Sequence, residues 1–218
     1  MNPRIFLIHA TALSIGPIAA AFARLWPEAE LINLLEDSLS RDRQRDGRLT
    51  EAMTGRLLAL ARYAERSGAD AILFTCSAFG TAIEACKAQA AIPILKPNEA
   101  MLEEALALGP NIGLIASFQP TLPALEAELL DAARAAGKTI RVHGALAEGA
   151  MEALQAGDAL AHDRIVTAAA KSISACDVVC LAQFSMSRAA EAAAEACARP
   201  VLTTPESAVA KLRQLLAR

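Results

Sequence analysis

The feature that most constrains the fold of this chain is a spacing, because residues recur at a constant offset of 107 positions. Alanine matches arise by chance in a chain of this composition, but proline, aspartate and glutamate recur at the same offset as the apolar positions. Such an internal repeat predicts two homologous halves of about 107 residues, related by a pseudo-twofold axis. The clearest pairs are Ile5 and Ile112, Asp70 and Asp177, Pro93 and Pro200, and Glu99 and Glu206.

Each half alternates short apolar runs with helical patterns. Continuous apolar strands separated by helices are typical of a parallel sheet that helices cover on both faces. The predicted fold class is therefore α/β, with two similar parallel-sheet domains. Strands are predicted at residues 4–10, 30–35, 70–76 and 92–96, and again at 111–117, 138–143, 177–183 and 199–203. Helices are predicted at 14–26, 49–67, 79–88, 122–136, 187–197 and 206–216, with further helix before residue 175 and a polar loop at 36–47.

The repeat also sets the expected domain boundaries. The first domain is predicted to cover residues 1–97 and the second 98–204, and the C-terminal helix at 205–218 is expected to pack back on the first. Ligands of open parallel sheets bind outside the carboxyl ends of the strands. Cys76 and Gln183 occupy two such ends at the constant offset. A pseudo-twofold axis would bring these ends face to face, which predicts an active site in the cleft between the domains.

Composition and charge argue against several classes of function. A net charge of -3, a pI near 5.7 and an aromatic content of 4% speak against nucleic acid and membrane surfaces as partners. The five cysteines are odd in number and form no Cys-x-x-Cys pair, so reduced thiols and a cytoplasmic location are expected. The three histidines lack the spacing of metal ligands, and no metal site is predicted. The apolar N-terminal segment could mimic a signal peptide, but the repeat requires it as the first strand.

Cys76 lies where a predicted strand gives way to a helix. The partial positive charge of a helix N-terminus lowers the pKa of a thiol, so the sequence predicts a general acid or base here, the alternative being a small residue that only packs. Gln183 holds the matching place in the second half, and an amide has no useful proton to exchange near neutral pH. The other cysteines are interpreted as inert core or helical thiols, namely Cys86, Cys176, Cys180 and Cys197.

The turns that follow these two strands carry groups suited to a carboxylate. Thr75, Ser77 and the backbone amide of Ala78 form one polar turn, and Phe184 and Ser185 form the matching one. Helix starts bind anions, and two such turns could hold a carboxylate as it becomes an enediolate. Plain helix capping by the two serines is the alternative, and it is compatible with ligand binding.

Polar residues also end the other strands, and each has a functional and a structural interpretation. His9 could be a substitute proton donor, although a lone histidine at a strand end is more often a hydrogen-bonded structural group. Lys96 could pair with a substrate carboxylate or extend into solvent. Contacts to a small ligand are predicted for the remaining strand-end residues, which are Thr11, Ser117, Gln119 and Thr203.

Several stretches together resemble the aspartate/glutamate/hydantoin racemase superfamily. They are a strand ending in Thr-Cys-Ser before a helix, the second-half turn LAQFSMS, the strand IGLIAS and the closing PVLTTPESAV, and the resemblance covers nearly the whole chain. It implies two similar α/β domains, a cofactor-free active site between them and a small carboxylate substrate. Members racemise amino acids or hydantoins, isomerise maleate or decarboxylate arylmalonates. The decarboxylating members carry a hydroxyl residue and a tyrosine where Ser117 and Gln119 stand.

The chain departs from the racemising members of that superfamily, which place one cysteine in each half. One thiolate there removes the α-proton and the other thiol protonates the opposite face, whereas this chain has Cys76 and Gln183. The first hypothesis is therefore a cofactor-independent decarboxylase or isomerase that moves a proton next to a carboxylate, with Cys76 as its single thiol. The alternatives are an amino-acid or hydantoin racemase with a second base other than cysteine, His9 being the first suspect, and a non-catalytic carboxylate-binding protein. A homo-oligomer is left open.

Overall fold

The computed structural model describes residues 2–119 and 121–217. The chain divides into two compact units. The first unit consists of Met1–Ala100 together with Ala208–Arg218, and the second unit is Met101–Ser207. In the described residues, no helix is both long and apolar enough to cross a membrane.

The described part of the first unit contains four strands in the order in which the sequence predicts them. The strands are β1 (Arg4–His9), β2 (Glu30–Leu35), β3 (Ala71–Phe74) and β4 (Ile94–Leu95). The helices are α1 (Ile15–Leu25), α2 (Ser38–Asp46), α3 (Glu51–Arg66) and α4 (Gly80–Lys87), and short 3-10 turns at Ala12–Ser14 and Ser77–Phe79 precede α1 and α4.

The second unit repeats this arrangement. Its strands are β5 (Asn111–Ala116), β6 (Arg141–Leu146), β7 (Val178–Leu181) and β8 (Val201–Thr203). Its helices are α6 (Thr121–Ala135), α7 (Ala150–Gln155), α8 (Ala159–Ser172) and α9 (Ala190–Cys197), and a 3-10 turn at Phe184–Ala189 precedes α9. The unit boundaries fall within α5 (Glu99–Leu108), which the sequence pattern does not predict, and within α10 (Thr204–Leu216).

Both units build a parallel sheet with the same strand order. The first sheet runs β2-β1-β3-β4 and the second runs β6-β5-β7-β8. Their registers also agree, since Ile5 pairs with Ala71 in the first sheet and Ile112 pairs with Val178 in the second. The predicted fold class, two similar parallel-sheet α/β units, is confirmed.

Strand β6 departs from the constant offset. Arg4 pairs with Glu30 in the first sheet, but its counterpart Asn111 pairs with Arg141, four positions beyond the residue that the offset would give. The extra length lies in α6, which has 15 residues where α1 has 11. The predicted strand at 138–143 is therefore placed too early, because its first residues belong to the turn after the left-handed Gly137, whose φ is 66°.

Helix α2 shows that the prediction of a loop at 36–47 is wrong. Its sequence SLSRDRQRD is almost wholly polar, and Leu39 supplies its buried contact. Charged contacts hold the helix in place, because Arg45 pairs with Asp42 at 2.8 Å and Arg56 of α3 reaches the same aspartate at 2.7 Å. A helix anchored by one apolar side chain and several ion pairs has no hydrophobic periodicity to reveal it.

The repeated aspartates have a structural role in both units. Asp70 Oδ2 accepts the backbone N–H of Arg4 at 2.7 Å, and Asp177 Oδ2 accepts that of Asn111 at 2.8 Å. The bonds from the backbone and side chain of Asn111 lower the pKa of Asp177. Each carboxylate thus fixes the amino end of the first strand of its sheet, at the edge opposite the carboxyl ends where ligands bind.

The central strands of each sheet are buried on both faces. Every residue of β3 and β7 is buried, and β1 and β5 are buried after their first residue. The outer strands β2 and β6 are partly exposed. Polar side chains at the carboxyl ends of the central strands therefore lie against an almost wholly apolar background, where each of them needs a hydrogen-bond partner.

Candidate active site

Cys76 follows β3 by two residues and lies at the carboxyl end of a central strand. It is half-buried, whereas the other four cysteines are buried. Burial raises the pKa of the Cys76 thiol, and a hydrogen bond from the backbone N–H of Ala78 lowers it by less. The predicted lowering of this pKa is therefore wrong in the structure. The reason is local, because α4 begins only at Gly80 and a 3-10 turn separates the thiol from the helix N-terminus.

His9 ends β1 and is completely buried. Its Nε2 lies 2.9 Å from Asn33 Oδ1, and its Nδ1 lies 2.8 Å from Thr75 Oγ1 and 3.3 Å from Ser14 Oγ. Burial lowers the pKa of His9, and the bond to Asn33 opposes that shift by less. His9 is thus a neutral group with both ring nitrogens bonded, and it offers no free nitrogen to a substrate.

Gln183 follows β7 as Cys76 follows β3. Its Oε1 accepts the backbone N–H of Ser117 at 3.0 Å, and its Nε2 donates to Thr121 Oγ1 at 3.2 Å. Both ends of the amide are engaged within the second unit. The side chain therefore ties the end of β5 to the start of α6.

Two buried hydroxyls in the second unit have no hydrogen-bond partner among the described residues. They are Ser117 Oγ, directly after β5, and Thr203 Oγ1, at the end of β8. These residues are only 7% and 1% exposed. An unpaired buried hydroxyl costs about 1–3 kcal/mol. Since both lie at the sheet edge where ligands of parallel sheets bind, they are candidates for contact with a polar ligand atom.

The serines that follow Cys76 and Gln183 do not cap the helices. Cys76 and Gln183 themselves hold the N-cap positions of the two 3-10 turns. Ser77 is exposed and Ser185 is half-buried, and throughout the described chain neither hydroxyl has a bonding partner. Helix capping therefore does not account for either serine.

Other predicted residues have structural surroundings. Thr11 caps the 3-10 turn before α1 by accepting the N–H of Leu13 at 3.4 Å. Lys96, considered as a partner for a substrate carboxylate, pairs with Glu84 at 2.8 Å. Gln119 is exposed beyond the end of β5.

Aromatic side chains near the strand ends divide into two kinds. Phe79 and Phe184 are 1% and 5% exposed, and their rings belong to the cores of their units. Phe118, directly after Ser117, is 58% exposed and is the aromatic ring available to a ligand at this edge. Within the parts of the chain that the structure describes, no group of three or more His, Cys, Asp and Glu side chains could hold a metal ion.

Arg43 is a candidate that the sequence did not reveal. It lies on α2, and its Nε donates to the backbone carbonyl of Ala78, in the turn after Cys76, at 3.4 Å. Arg41 and Arg45 on the same helix are paired with carboxylates. Arg43 has no such partner in the described residues, so α2 holds an uncompensated guanidinium beside the Cys76 turn. The sequence pattern predicted a loop for this segment, and a loop does not indicate which way an arginine side chain points.

Residues 9–214 match the sequence profile of the Asp/Glu/hydantoin racemase family. The chain belongs to this family. Its fold is similar to that of an aspartate racemase homologue from Pyrococcus horikoshii OT3, with a TM-score of 0.75, 18% identity and full coverage of both chains. A glutamate racemase from Bacillus anthracis gives a TM-score of 0.74 at 12% identity, covering 99% of this chain and 82% of that one. An arylmalonate decarboxylase gives 0.71 at 17% identity, covering 98% and 92%. No curated protein sequence matches the chain significantly.

Membership of the Asp/Glu/hydantoin racemase family makes this chain an enzyme of that family. The similarity to solved structures, at identities of 12–18%, concerns the fold. The chemistry of this family member must therefore be argued from its own strand ends.

Proposed function

We propose that this enzyme transfers a single proton at the carbon next to a carboxylate, without a cofactor, and that Cys76 is its acid/base residue. The observation that supports this most is the difference between two matching strand ends. Cys76 carries an exchangeable proton and is half-buried, while Gln183 has both ends of its amide bonded to its own unit. Decarboxylation or one-way isomerisation needs one proton-transfer group at the α-carbon, whereas racemisation needs one on each face.

The raised pKa of Cys76 favours a proton-donating role. A thiol whose pKa is raised above its ordinary value by burial is almost wholly protonated at neutral pH. In a decarboxylation, the bond to the leaving carboxylate breaks, carbon dioxide departs and the electron pair stays on the substrate as an enediolate. The Cys76 S–H then protonates the α-carbon on one face, and the resulting thiolate regains its proton from water.

Polar groups at the same edges suit the negative charge of such an intermediate. The free hydroxyl of Ser77 and the guanidinium of Arg43 lie in and beside the Cys76 turn. The unpartnered hydroxyls of Ser117 and Thr203 lie at the corresponding edge of the second sheet. We assign Ser77 and Arg43 to the oxygen atoms of the substrate at the Cys76 turn, because preorganised donors stabilise a developing oxyanion more than they stabilise the starting carboxylate.

The two other hypotheses receive less support. A racemase with His9 as its second base would need a histidine that reaches the substrate, but His9 is completely buried and bonded at both nitrogens. A non-catalytic carboxylate-binding protein would have no need of a half-buried thiol at the strand end.

The test is a proton-exchange screen. The protein is incubated in heavy water with a panel of malonates, amino acids and hydantoins, and deuterium at the α-carbon is followed by NMR. We expect exchange or decarboxylation with one handedness, and a loss of at least about 100-fold in Cys76→Ala. Cys86→Ala is the matched control, because Cys86 is a buried cysteine of the same unit, its pKa raised to about 11 by burial, and its replacement should keep the activity.

Three outcomes would contradict the proposal. Free racemisation by the wild-type protein would require a second base. Activity that survives in Cys76→Ala would remove the thiol from the mechanism. If a compound of the panel raised the thermal stability of the protein and none of the compounds was turned over, the protein would be a binding protein.

A further inference from the structure

A buried hydrogen-bonded cluster lies directly before Cys76 in the first unit. We call it the His9 cluster, and it consists of His9, Ser14, Asn33 and Thr75. Three of its members are at most 5% exposed, and Asn33 links them to the surface. Ser14 Oγ and Thr75 Oγ1 are 2.9 Å apart, so the two hydroxyls and the ring nitrogen form a closed triangle. A polar cluster in a core is costly unless it is complete, and this one is complete.

The second unit shows that the fold does not require this cluster. Its sheet has the same strand order and the same register between the two central strands. Small apolar residues nevertheless occupy three of the four matching positions, and the fourth, that of Ser14, holds Thr121, which bonds to Gln183 instead. The replacements, by offset and by register, are Ala116 for His9, Ala182 for Thr75 and Gly144 for Asn33.

The hydrogen-bond partners define where the protons lie. Asn33 presents its carbonyl oxygen to His9, so Nε2 carries the ring proton and Nδ1 is an acceptor. The Thr75 hydroxyl therefore donates to Nδ1 at 2.8 Å, and the Ser14 hydroxyl donates to Thr75 or to the carbonyl of Thr11 at 3.0 Å. Thr75 thus uses its one hydroxyl proton inside the cluster. Burial lowers the pKa of His9 and keeps the ring in the neutral form that this arrangement needs.

We propose that His9 is a positioning residue, which fixes the side chain of Thr75 and through it the backbone that carries Cys76. This rests on the proposed function, because it gives the cluster the task of orienting the reacting thiol. Thr75 is anchored on two sides, since its N–H donates to the carbonyl of Ile8 at 3.0 Å and its hydroxyl donates to His9. His9 neither touches the substrate nor exchanges a proton with it. In the second unit Gln183 anchors its own turn, which it can do because it has no proton to deliver.

The test compares Thr75→Val, which keeps the shape of the side chain but removes the hydroxyl, with Thr75→Ser, which keeps the hydroxyl. Nitrogen-15 NMR of histidine-labelled protein should show His9 as the neutral Nε2–H tautomer in the wild type and in Thr75→Ser, with a shifted Nδ1 resonance in Thr75→Val. Alkylation of Cys76 by iodoacetamide, followed by peptide mass spectrometry, should be at least about threefold faster in Thr75→Val, because the turn opens more easily.

Kinetics supply the third measurement once a substrate is known. In Thr75→Val we expect kcat to fall by about tenfold or more while KM stays within about twofold, because a displaced reacting group affects the chemical step more than binding. Thr50→Val is the matched control, since it removes the hydroxyl that accepts the N–H of Met53 at the start of α3 in the same unit. It should lower stability and leave kcat, the alkylation rate and the His9 resonances unchanged.

The NMR and alkylation measurements need no substrate, so they decide this inference even if no carboxylate is turned over and the proposed function fails. An Nδ1–H tautomer of His9 in the wild type would overturn it. Unchanged alkylation and kcat in Thr75→Val would also overturn it. Equal impairment of Thr75→Ser and Thr75→Val would do the same, because the hydroxyl would then not be the group that matters.

Discussion

The turns after β3 and β7 share a backbone plan but use their polar side chains differently. In the first unit Ser14 bonds within the His9 cluster, and the thiol of Cys76 is left without a side-chain partner. In the second unit Thr121, at the position that matches Ser14, is instead the partner of Gln183. In the first unit the side-chain hydrogen bonds involve residues before Cys76, and the thiol itself bonds to no other side chain of the described residues. In the second unit Gln183, at the position of Cys76, makes the side-chain hydrogen bonds itself. A repeat can therefore preserve a strand end while only one copy keeps a side chain with an exchangeable proton there.

The largest expected effect comes from making the two turns chemically alike. Gln183→Cys places a thiol at both strand ends. We expect the variant to interconvert the two enantiomers of a substrate for which the wild type accepts or forms only one enantiomer. The rate should be low, because side-chain placement within roughly 0.5 Å matters at such sites. Adding Cys76→Ala to either background should remove at least about 100-fold of the exchange. Chiral chromatography of the product, with deuterium incorporation, measures both effects.

Gln183→Cys also gives up two hydrogen bonds, to the N–H of Ser117 and to Thr121. We therefore expect its free energy of unfolding to fall by about 1–3 kcal/mol, measured by urea denaturation. Gln183→Glu is the control, because a carboxylate can still accept from Ser117 but supplies no thiol. If Gln183→Glu also interconverted the two hands, the assignment of the effect to a second thiol would be wrong.

The next largest effect is expected from the serines that follow Cys76 and Gln183, which are Ser77 and Ser185. Ser77→Ala should lower kcat/KM by about tenfold or more, as expected for a lost charge-assisted bond of roughly 1.5–3 kcal/mol. Its unfolding free energy should change by less than about 0.5 kcal/mol, because Ser77 is exposed and bonds to no described residue. Ser185→Ala in the other turn is the matched comparison. A stability loss near 1 kcal/mol with unchanged kinetics would return both serines to a capping role.

A smaller effect is expected from the unpaired hydroxyl after β5. Ser117→Ala removes a buried group without a partner, so the protein should be as stable as the wild type or more stable by up to about 1 kcal/mol. Its KM should nevertheless rise if Ser117 contacts the substrate. Ser187→Ala is the control, because Ser187 donates to the carbonyl of Phe184 at 2.9 Å and its loss should destabilise the protein. A clear loss of stability in Ser117→Ala would show that its hydroxyl is already satisfied.

The smallest effect is on the pH dependence of stability. Burial lowers the pKa of His9 below its ordinary 6.5. As the pH falls through 6.5, the unfolded chain binds a proton at this residue before the folded protein does. The stability that His9 contributes is therefore present above pH 6.5 and is lost as the pH falls toward its lowered pKa. His9→Gln has no titrating group at this position, so its stability should not fall in this way. The difference between the urea midpoints of the wild type and His9→Gln should therefore shrink as the pH is lowered from about 8 to 5. A difference between the two midpoints that stays constant with pH would contradict the lowered pKa of His9.

The sequence predicted the fold and the two strand ends because both follow from the spacing of apolar residues and from the repeat offset of 107 positions. The offset located Cys76 and Gln183 at matching positions, and the apolar runs located the central strands. It missed α2 and with it Arg43, since a helix held by ion pairs has no apolar period. It misjudged the pKa of Cys76, because a three-residue 3-10 turn before α4 cannot be told from the helix itself.

The partners of His9 were also beyond sequence reasoning. Asn33 is on a neighbouring strand and Thr75 is 66 positions away, so only the strand register brings them to the ring. Local patterns identify which residues end a strand, whereas the choice between a proton donor and a positioning group depends on which neighbours complete the hydrogen bonds.

The additional turn of α6 shows how this fold tolerates growth. Thr121, like Gln183, keeps the constant offset from its counterpart, so the added residues lie toward the C-terminal end of α6, away from the reactive edge. Four residues make about one helical turn, or roughly 6 Å, so the same face still packs on the sheet. The connection from β6 to β7 is shorter than that from β2 to β3 by the same number, which restores the offset at β7. The missing residues lie between β6 and α8, because α7 has 6 residues where α2 has 9 and α8 begins and ends within one residue of the position that the offset gives from α3. An insertion in one helix of the repeat is thus balanced by a deletion in another, and the central strands keep their spacing.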